Sequence, residues 1–319
     1  MHYVVSALEM GELERQTEEQ LGVAARIMME VAGRAVATEA AKGLAAGARI
    51  VVAAGPGNNG GDGFVAARAL AGLGFEVSVY VFAERAGLKG DAKAAFATLE
   101  NLGSVPTRFV DDARVLYDFS AALLDAALVI DALLGTGSKG ELRGAIADAI
   151  DVINDSGVSA IAVDIASGVD ADTGAVPSRA VNASKTVTFG FAKRGHYMHP
   201  GAECRGTLMI ADIGIPAVFA DKLGIVVRVV GCDDGPSLLK RRPRLANKGT
   251  YGRVVVVAGA RSTPGAALLA LGGALRAGAG LVTWATDEAT VHNALSLSPE
   301  VMLRLYPEGK DRDAWLDDG

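Results

Sequence analysis

The chain of 319 residues has little cysteine, histidine or aromatic side chain: 2 Cys, 4 His, and 5% Phe, Trp and Tyr together. Cys204 and Cys232 are too few for a disulfide framework and lack metal-ligand spacing, which excludes a stapled secreted fold and fits a reducing cytoplasm. Half of the residues are hydrophobic, with alanine and glycine dominant. That composition suits tightly packed α/β layers better than an all-β sandwich. No uncharged apolar run of about 18 residues is present, so no transmembrane helix is expected. The opening MHYVVSALEMGELERQ lacks the basic and then apolar regions of a signal peptide. A cytoplasmic location without a membrane partner is the expectation. Acidic residues outnumber basic ones, 37 to 31, for a formal charge of −6. No nucleic-acid footprint emerges, since the basic cluster Lys240-Arg241-Arg242-Pro243-Arg244 is short and falls in an expected connector.

What is present is glycine at particular places. From Val51 to Leu70 a β-branched stretch runs into GPGNNGGDG and then into an alanine-rich amphipathic segment. This reads as strand, tight loop and helix, with the helix expected over Gly63–Leu73. Gly55, Gly57, Gly60, Gly61 and Gly63 let the backbone turn sharply. Free N–H groups at the start of a helix then suit an anion, most often a phosphate. Asn58, Asn59 and Asp62 fall in the same loop, although turning alone does not require them. GPGNNG matches the dinucleotide fingerprint by letter, but the next strand ends on Phe82 and Ala83, not on an acid, and no P-loop pattern occurs.

Helical spacing over Leu8–Lys42 predicts two helices broken near Gly22. Strands are expected at Arg49–Ala54, Glu76–Phe82, Leu128–Asp131, Ala160–Asp164, Lys185–Phe189 and Thr207–Ile210. Helices are expected at Lys89–Leu102, Asp118–Leu124 and Arg143–Ser156. The alternation implies βαβ units and a Rossmann-like three-layer α/β/α fold with a mainly parallel sheet. Residues 1–232 are expected to form this domain and 233–248 a linker. Residues 249–319 are expected to form an incomplete second α/β segment with a strand at Arg253–Ala258, a helix to Ala277 and a strand at Leu281–Ala285. That segment is short beside typical domains of about 100–150 residues. The closing KDRDAWLDDG resembles neither a finished core strand nor a capped helix.

Ligands of open α/β sheets sit beyond the carboxyl ends of the strands. Besides Gly55–Gly63, two further loops fall there, Asp131–Gly144 and Val163–Ala175. Together the loops offer Asn58, Asn59, Asp62, Asp131, Ser138, Lys139, Glu141, Asp164, Ser167, Asp170 and Asp172. Asp131 and Asp164 each end an apolar strand, where a carboxylate can coordinate a cation, take a proton or cap the next turn. Gly135, Gly137 and Gly140 open a second turn suited to phosphate, with Lys139 adding charge. The donors are oxygens, which suit a hard cation and not zinc. His196 and His199 have no third ligand nearby and are read as loop-packing residues.

Taken together and in this order, GPGNNGGDG, DALLGTGSKGELRG and VDIASGVDADTG resemble the NAD(P)HX epimerase family, as do MMEVAGRAVA before them and FGFAKRGHYMHPGAE after them. From Lys248 the chain resembles the opening of the ADP/ATP-dependent NAD(P)HX dehydratase, a ribokinase-like domain whose later Gly-x-Gly-Asp motif does not occur here. The resemblance implies epimerisation of the R and S forms of hydrated NADH or NADPH. A dehydratase half is expected to be incomplete, with ADP or ATP used only by a complete one. By position, Asn58, Asn59, Gly60, Gly61, Asp62, Gly135, Thr136, Gly137, Ser138, Lys139, Gly140, Glu141 and Asp164 would bind substrate. Asn59, Asp131 and Ser167 would hold K+. Asp164 is the expected proton carrier and Lys139 the expected charge stabiliser or phosphate contact. The resemblance also implies a homodimer or higher homo-oligomer. Ala166 stands where the family usually has proline, which is expected to loosen the loop bearing Asp164 and Ser167. The alternative is a non-catalytic module that binds a nucleotide or a partner protein on the same fold.

Overall fold

In the computed structural model, residues 2–110, 112–238, 241–291 and 299–306 are described. Lys240 and the closing KDRDAWLDDG lie outside them. The chain forms two compact units, Met1–Cys232 and a second beginning at Asp233.

The first unit opens with β1 (His2–Val5) and α1 (Ala7–Leu21). Ser6 caps α1 through a capping box: its hydroxyl accepts the Glu9 N–H at 3.2 Å, and the Glu9 carboxylate accepts the Ser6 N–H at 2.6 Å. Gly22, at φ 71°, ends α1 where the sequence predicts a break, and α2 (Ala25–Ala41) follows. Strands and helices then alternate: β2 (Arg49–Ala54), α3 (Asn58–Gly72), β3 (Glu76–Val81), α4 (Gly90–Leu102), β4 (Thr107–Phe109), α5 (Ala113–Leu124), β5 (Leu128–Ala132), α6 (Gly144–Ser156) and β6 (Ala160–Val163). The unit closes with β7 (Lys185–Phe189), β8 (Ala192–Lys193), α7 (Gly201–Cys204), β9 (Thr207–Ala211), α8 (Ala217–Lys222) and β10 (Arg228–Val229).

The main sheet has seven strands in the order β4-β3-β2-β5-β6-β7-β9, and every pairing is parallel. Its central strands are apolar towards both faces, as a sheet covered on both sides requires. On one face Ile50, Val52 and Ile130 pack with Phe64 and Leu70 of α3 and with Val36 of α2. On the other, Val51 and Val129 pack with Phe119 of α5 and Ile150 of α6. The three-layer α/β/α architecture follows. Strand order reverses between β2 and β5, and the carboxyl ends of these two strands open the switch point of the sheet. A small second sheet, β10-β1-β8, lies outside the expectations from sequence, because its strands are only two to four residues long.

The second unit contains α9 (Gly235–Leu238), β11 (Arg253–Val257), α10 (Pro264–Ala277), β12 (Leu281–Thr286), α11 (Glu288–Val291) and β13 (Met302–Leu305). Among the described residues its three strands pair in parallel, and Trp284 is buried with Ala267, Leu271, Val282 and Val291.

One correction concerns the glycine-rich turn. The helix starts at Asn58 and not at Gly63, so Asn58, Asn59 and Asp62 stand on its first turns instead of in a loop. None of Gly55, Gly57, Gly60, Gly61 or Gly63 has a positive φ. Close approach is what demands glycine here: a Cβ on Gly55 would lie 1.9 Å from the Leu133 carbonyl oxygen, and one on Gly60 would lie 2.0 Å from that of Gly55. The α3 backbone is thereby seated directly on the strand ends. Gly72, at the other end of α3, has nothing within 4 Å of an added Cβ. Gly60→Ala is expected to lower unfolding free energy by about 1–3 kcal/mol. Gly72→Ala is expected to raise it by about 0.5 kcal/mol. Urea denaturation of the two variants measures the contrast.

Candidate active site

At the carboxyl ends of β2, β5 and β6 lies a cavity of about 690 Å³. Asn58, Asn59 and Asp62 of α3 line it, with Gly135, Thr136, Gly137 and Ser138 after β5 and Asp164 after β6. Glu14 of α1 and Met28 and Met29 of α2 also line it. The parallel sheet thus brings residues from all three sequence motifs to one crevice. The turn after β5 is held to α3 by the Asn59 amide, which donates to the Leu134 carbonyl at 2.8 Å.

Asp164 directly follows β6 and, at φ 62°, is the non-glycine residue with a positive φ among those described. Such a conformation is costly and persists only where surrounding contacts hold it. Here they do. Its N–H donates to the Val187 carbonyl at 2.8 Å, and its Oδ1 accepts from Thr188 Oγ1 at 2.9 Å and Lys193 Nζ at 2.5 Å. Lys193 is fully buried, and its ammonium also donates to Thr188 Oγ1 at 2.9 Å and to the Phe189 carbonyl at 3.3 Å. Burial opposes the charge on Asp164, but the Lys193 ammonium outweighs it and holds the carboxyl below its ordinary range.

His196 ties this pair together. Its Nδ1 accepts the Lys193 backbone N–H at 3.0 Å, so the proton resides on Nε2, which donates to the Asp164 carbonyl at 2.9 Å. Burial, reinforced by the Lys193 charge, lowers its pKa to about 4 and keeps the ring neutral. Loop packing is therefore its role, as the sequence suggests, with a specific geometry. Lys193 was not singled out from the sequence. Only the tertiary contacts reveal its burial.

A second cluster sits behind the cavity wall. Asp131, on β5, is fully buried. It accepts the Ser167 N–H at 2.9 Å, the Ser167 hydroxyl at 2.6 Å and the Leu133 N–H at 3.3 Å. Ser167 Oγ in turn accepts the Leu134 N–H at 2.9 Å. All of these donors are neutral. Burial raises the Asp131 pKa to about 6, with the Ser167 hydrogen bonds opposing it. Ala166 is buried beside this cluster, and its carbonyl accepts the Val169 N–H at 3.1 Å.

The other anticipated residues stand elsewhere. Lys139 is 66% exposed and pairs with Asp172 at 3.2 Å; the ammonium that meets Asp164 belongs to Lys193. Glu141 is exposed and pairs with Arg143, and Gly140 forms a turn at φ 81°. Gly60 and Gly61 are buried packing positions against Gly55 and Met29. Asp170 accepts from the backbone of Asp172 and Thr173, and Asp172 accepts the Ala7 N–H that opens α1. Both carboxylates tie loops together. His199 is exposed and pairs with Glu203. Among the described residues no cluster of three His, Cys, Asp or Glu side chains could hold a metal ion.

Comparison with known proteins adds a family. Residues 25–195 match the family described as YjeF-related protein N-terminus, and residues 254–318 match that described as NAD(P)H-hydrate dehydratase. The chain is 37% identical to the bifunctional NAD(P)H-hydrate repair enzyme Nnr of Moorella thermoacetica, over 96% of this chain and 58% of that protein. It is 38% identical to the enzyme of the same name from Thermofilum pendens, over 93% of this chain and 55% of that protein. The chain thus spans a little over half the length of these relatives. In the crystal structure of the yeast protein ynu0, the match has a TM-score of 0.59 at 25% identity, covering 69% of this chain and 93% of that one.

The His196 environment sets a pH dependence of stability. Unfolded, its imidazole takes up a proton near 6.5; folded, it resists until about 4. At this group the unfolded chain binds more protons in that window, so the His196 contribution to stability falls as pH drops from 6.5 towards 4, by about 3 kcal/mol, while Asp131, raised to about 6, contributes with the opposite sign. Asp164, held below its ordinary 3.8, adds a loss at lower pH still. Urea unfolding at pH 7 and pH 4.5 is expected to show that His196→Gln gains stability on acidification relative to the wild type, which isolates the His196 contribution from that of Asp131.

Proposed function

Because this chain belongs to the family of the YjeF-related protein N-terminus, we propose that its first unit interconverts the R and S forms of hydrated NADH or NADPH at C6 of the nicotinamide ring. The observation that carries the reading is Asp164, a carboxylate kept ionised by a buried ammonium and turned into a cavity rimmed by glycine-rich turns. C6 carries a hydroxyl beside ring N1, so inversion requires a bond at C6 to break and re-form. Asp164 accepts the hydroxyl proton, a contribution of about 10²–10⁴-fold for a positioned base. Lys193 takes the electrostatic role first given to Lys139. It holds Asp164 charged and in place without itself reaching the substrate. The backbone amides that open α3 and those of Gly135–Gly137 receive the pyrophosphate, while the Ser138 N–H closes the turn onto the Gly135 carbonyl. Lys139, Gly140 and Glu141 continue the second turn as the proposed outer contacts, Lys139 to phosphate.

The K+ site is part of the same proposal. Asp131, Ser167 and Asn59 supply oxygen donors of the kind a hard cation prefers. Asp131 is a buried carboxylate with neutral partners only, and a bound cation would balance its charge. K+ would order the turns after β5 and β6, with no proton passing through it. For residues 249–319 the proposal is confined to the class: likeness to an ADP- or ATP-dependent dehydratase. No dehydration step is assigned to these residues.

Incubation with R-NADHX, followed by chromatography for S-NADHX, tests the reaction. Acceleration over spontaneous epimerisation is expected, with a loss of about 100-fold or more in Asp164→Asn. Binding without acceleration would favour the non-catalytic module. K+ at ten times its dissociation constant is expected to add about 1.4 kcal/mol of stability relative to tetramethylammonium. That gain should vanish in Asp131→Asn, as measured by thermal unfolding.

A further inference from the structure

Asp62 is a carboxyl on the cavity wall that the mechanism above leaves without a chemical task. It stands on the second turn of α3 and is 8% exposed. It lines the same cavity as Asp164. Among the described residues its carboxyl group has no hydrogen-bond donor and no ion-pair partner, whereas every other buried aspartate or glutamate of this unit has one. A buried polar group without a partner is costly, and one facing a cavity is suited to a ligand atom.

The charged groups that face Asp62 are Asp164 after β6, Glu14 of α1 and Lys193 of β8. Asp91 of α4 and Arg15 and Glu18 of α1 also line the cavity. Arg15 is committed to Glu12 and Glu19 on its own helix. The Lys193 ammonium bonds to Asp164 and gives no hydrogen bond to Asp62. Among the carboxyls that line this cavity, Asp164 therefore has the Lys193 cation and Asp62 does not. Burial, then the Asp164 and Glu14 charges, push Asp62 well above its ordinary range, opposite to Asp164. Two groups driven apart in this way divide into an acid and a base.

We propose that Asp62 is the proton donor that works opposite Asp164 on the hydrated nicotinamide ring. The proposal rests on the epimerase reading and deepens it to a ring-opening route. Asp164 takes the proton of the C6 hydroxyl. The oxygen electrons form the C6=O bond, the C6–N1 bond breaks with its electron pair passing to N1, and Asp62 delivers its proton to N1. The product is an open-chain aldehyde with an N–H at N1. Rotation about C5–C6 presents the opposite face of the carbonyl. N1 then attacks C6, returns its proton to Asp62, and the oxygen recovers its proton from Asp164. Protons and electrons balance over the cycle, and no water is lost or gained.

The test measures kcat and KM against pH for the wild type, Asp62→Asn and Glu14→Gln, with R-NADHX as substrate. The wild type is expected to give a bell-shaped kcat profile. Asp62→Asn is expected to lose about 100-fold in kcat with KM changed less than about threefold, and to lose the alkaline limb while keeping the acid limb. Carbon-13 NMR of the wild-type aspartate carboxyls supplies a second readout that needs no variant to fold: two resonances, those of Asp131 and Asp62, are expected to stay protonated above the range in which Asp164 ionises, and only one would do so if Asp62 titrated ordinarily. A wild type that epimerises while Asp62→Asn keeps its kcat, or changes KM alone, would overturn the proposal and leave the epimerase reading standing. Loss of the alkaline limb in Glu14→Gln instead of Asp62→Asn would overturn it as well. A wild type without acceleration would overturn both.

Discussion

The ion pair between Lys193 and Asp164 is the constraint on which the site depends. An ammonium that is fully buried needs a counter-charge, and breaking such a pair by removing one partner costs about 3–5 kcal/mol. The pair joins β8 to the turn after β6, and His196 adds a neutral bridge from the Lys193 backbone to the Asp164 carbonyl. These contacts hold Asp164 in a left-handed conformation that its own side chain disfavours. Local strain and charge burial are thereby compensated in one place, and the result is a fixed carboxylate at the end of a strand.

The parallel sheet determines what that carboxylate faces. β2 and β5 are neighbours although far apart in sequence, because strand order reverses between them. Glycine at positions 55 and 60 lets α3 begin directly against this seam. Asn59 and Asp62 are carried into the crevice on the helix, and the turn after β5 closes against it through Leu134. The same geometry divides the carboxyl groups. Asp131 lies behind the wall among neutral donors, Asp164 meets the cation, and Asp62 meets neither. Three aspartates of one residue type acquire three different proton affinities from burial and partners alone.

Much of this was legible in the sequence. Strand boundaries followed from β-branched runs such as RIVVAA and LVIDA, which are buried on both faces. The glycine-rich motifs marked the strand ends that gather at one rim. Other features were not legible, for physical reasons. The sequence places the α3 start five residues late because consecutive glycines read as a turn, whereas they serve packing within a helix. β1, β8 and β10 are too short to carry an alternating pattern. Lys139 stands among glycines that mark a turn. Lys193 has no such local mark, since burial of a lysine depends on a distant carboxylate that no local pattern announces.

Carbon-13 NMR titration of the Asp164 carboxyl in the wild type and in Lys193→Met tests the central claim most directly. A midpoint below the ordinary carboxylate range is expected in the wild type, moving upward when the ammonium is removed, since burial then acts on Asp164 unopposed. An ordinary midpoint in the wild type, or one that stays in place in Lys193→Met, would contradict the account.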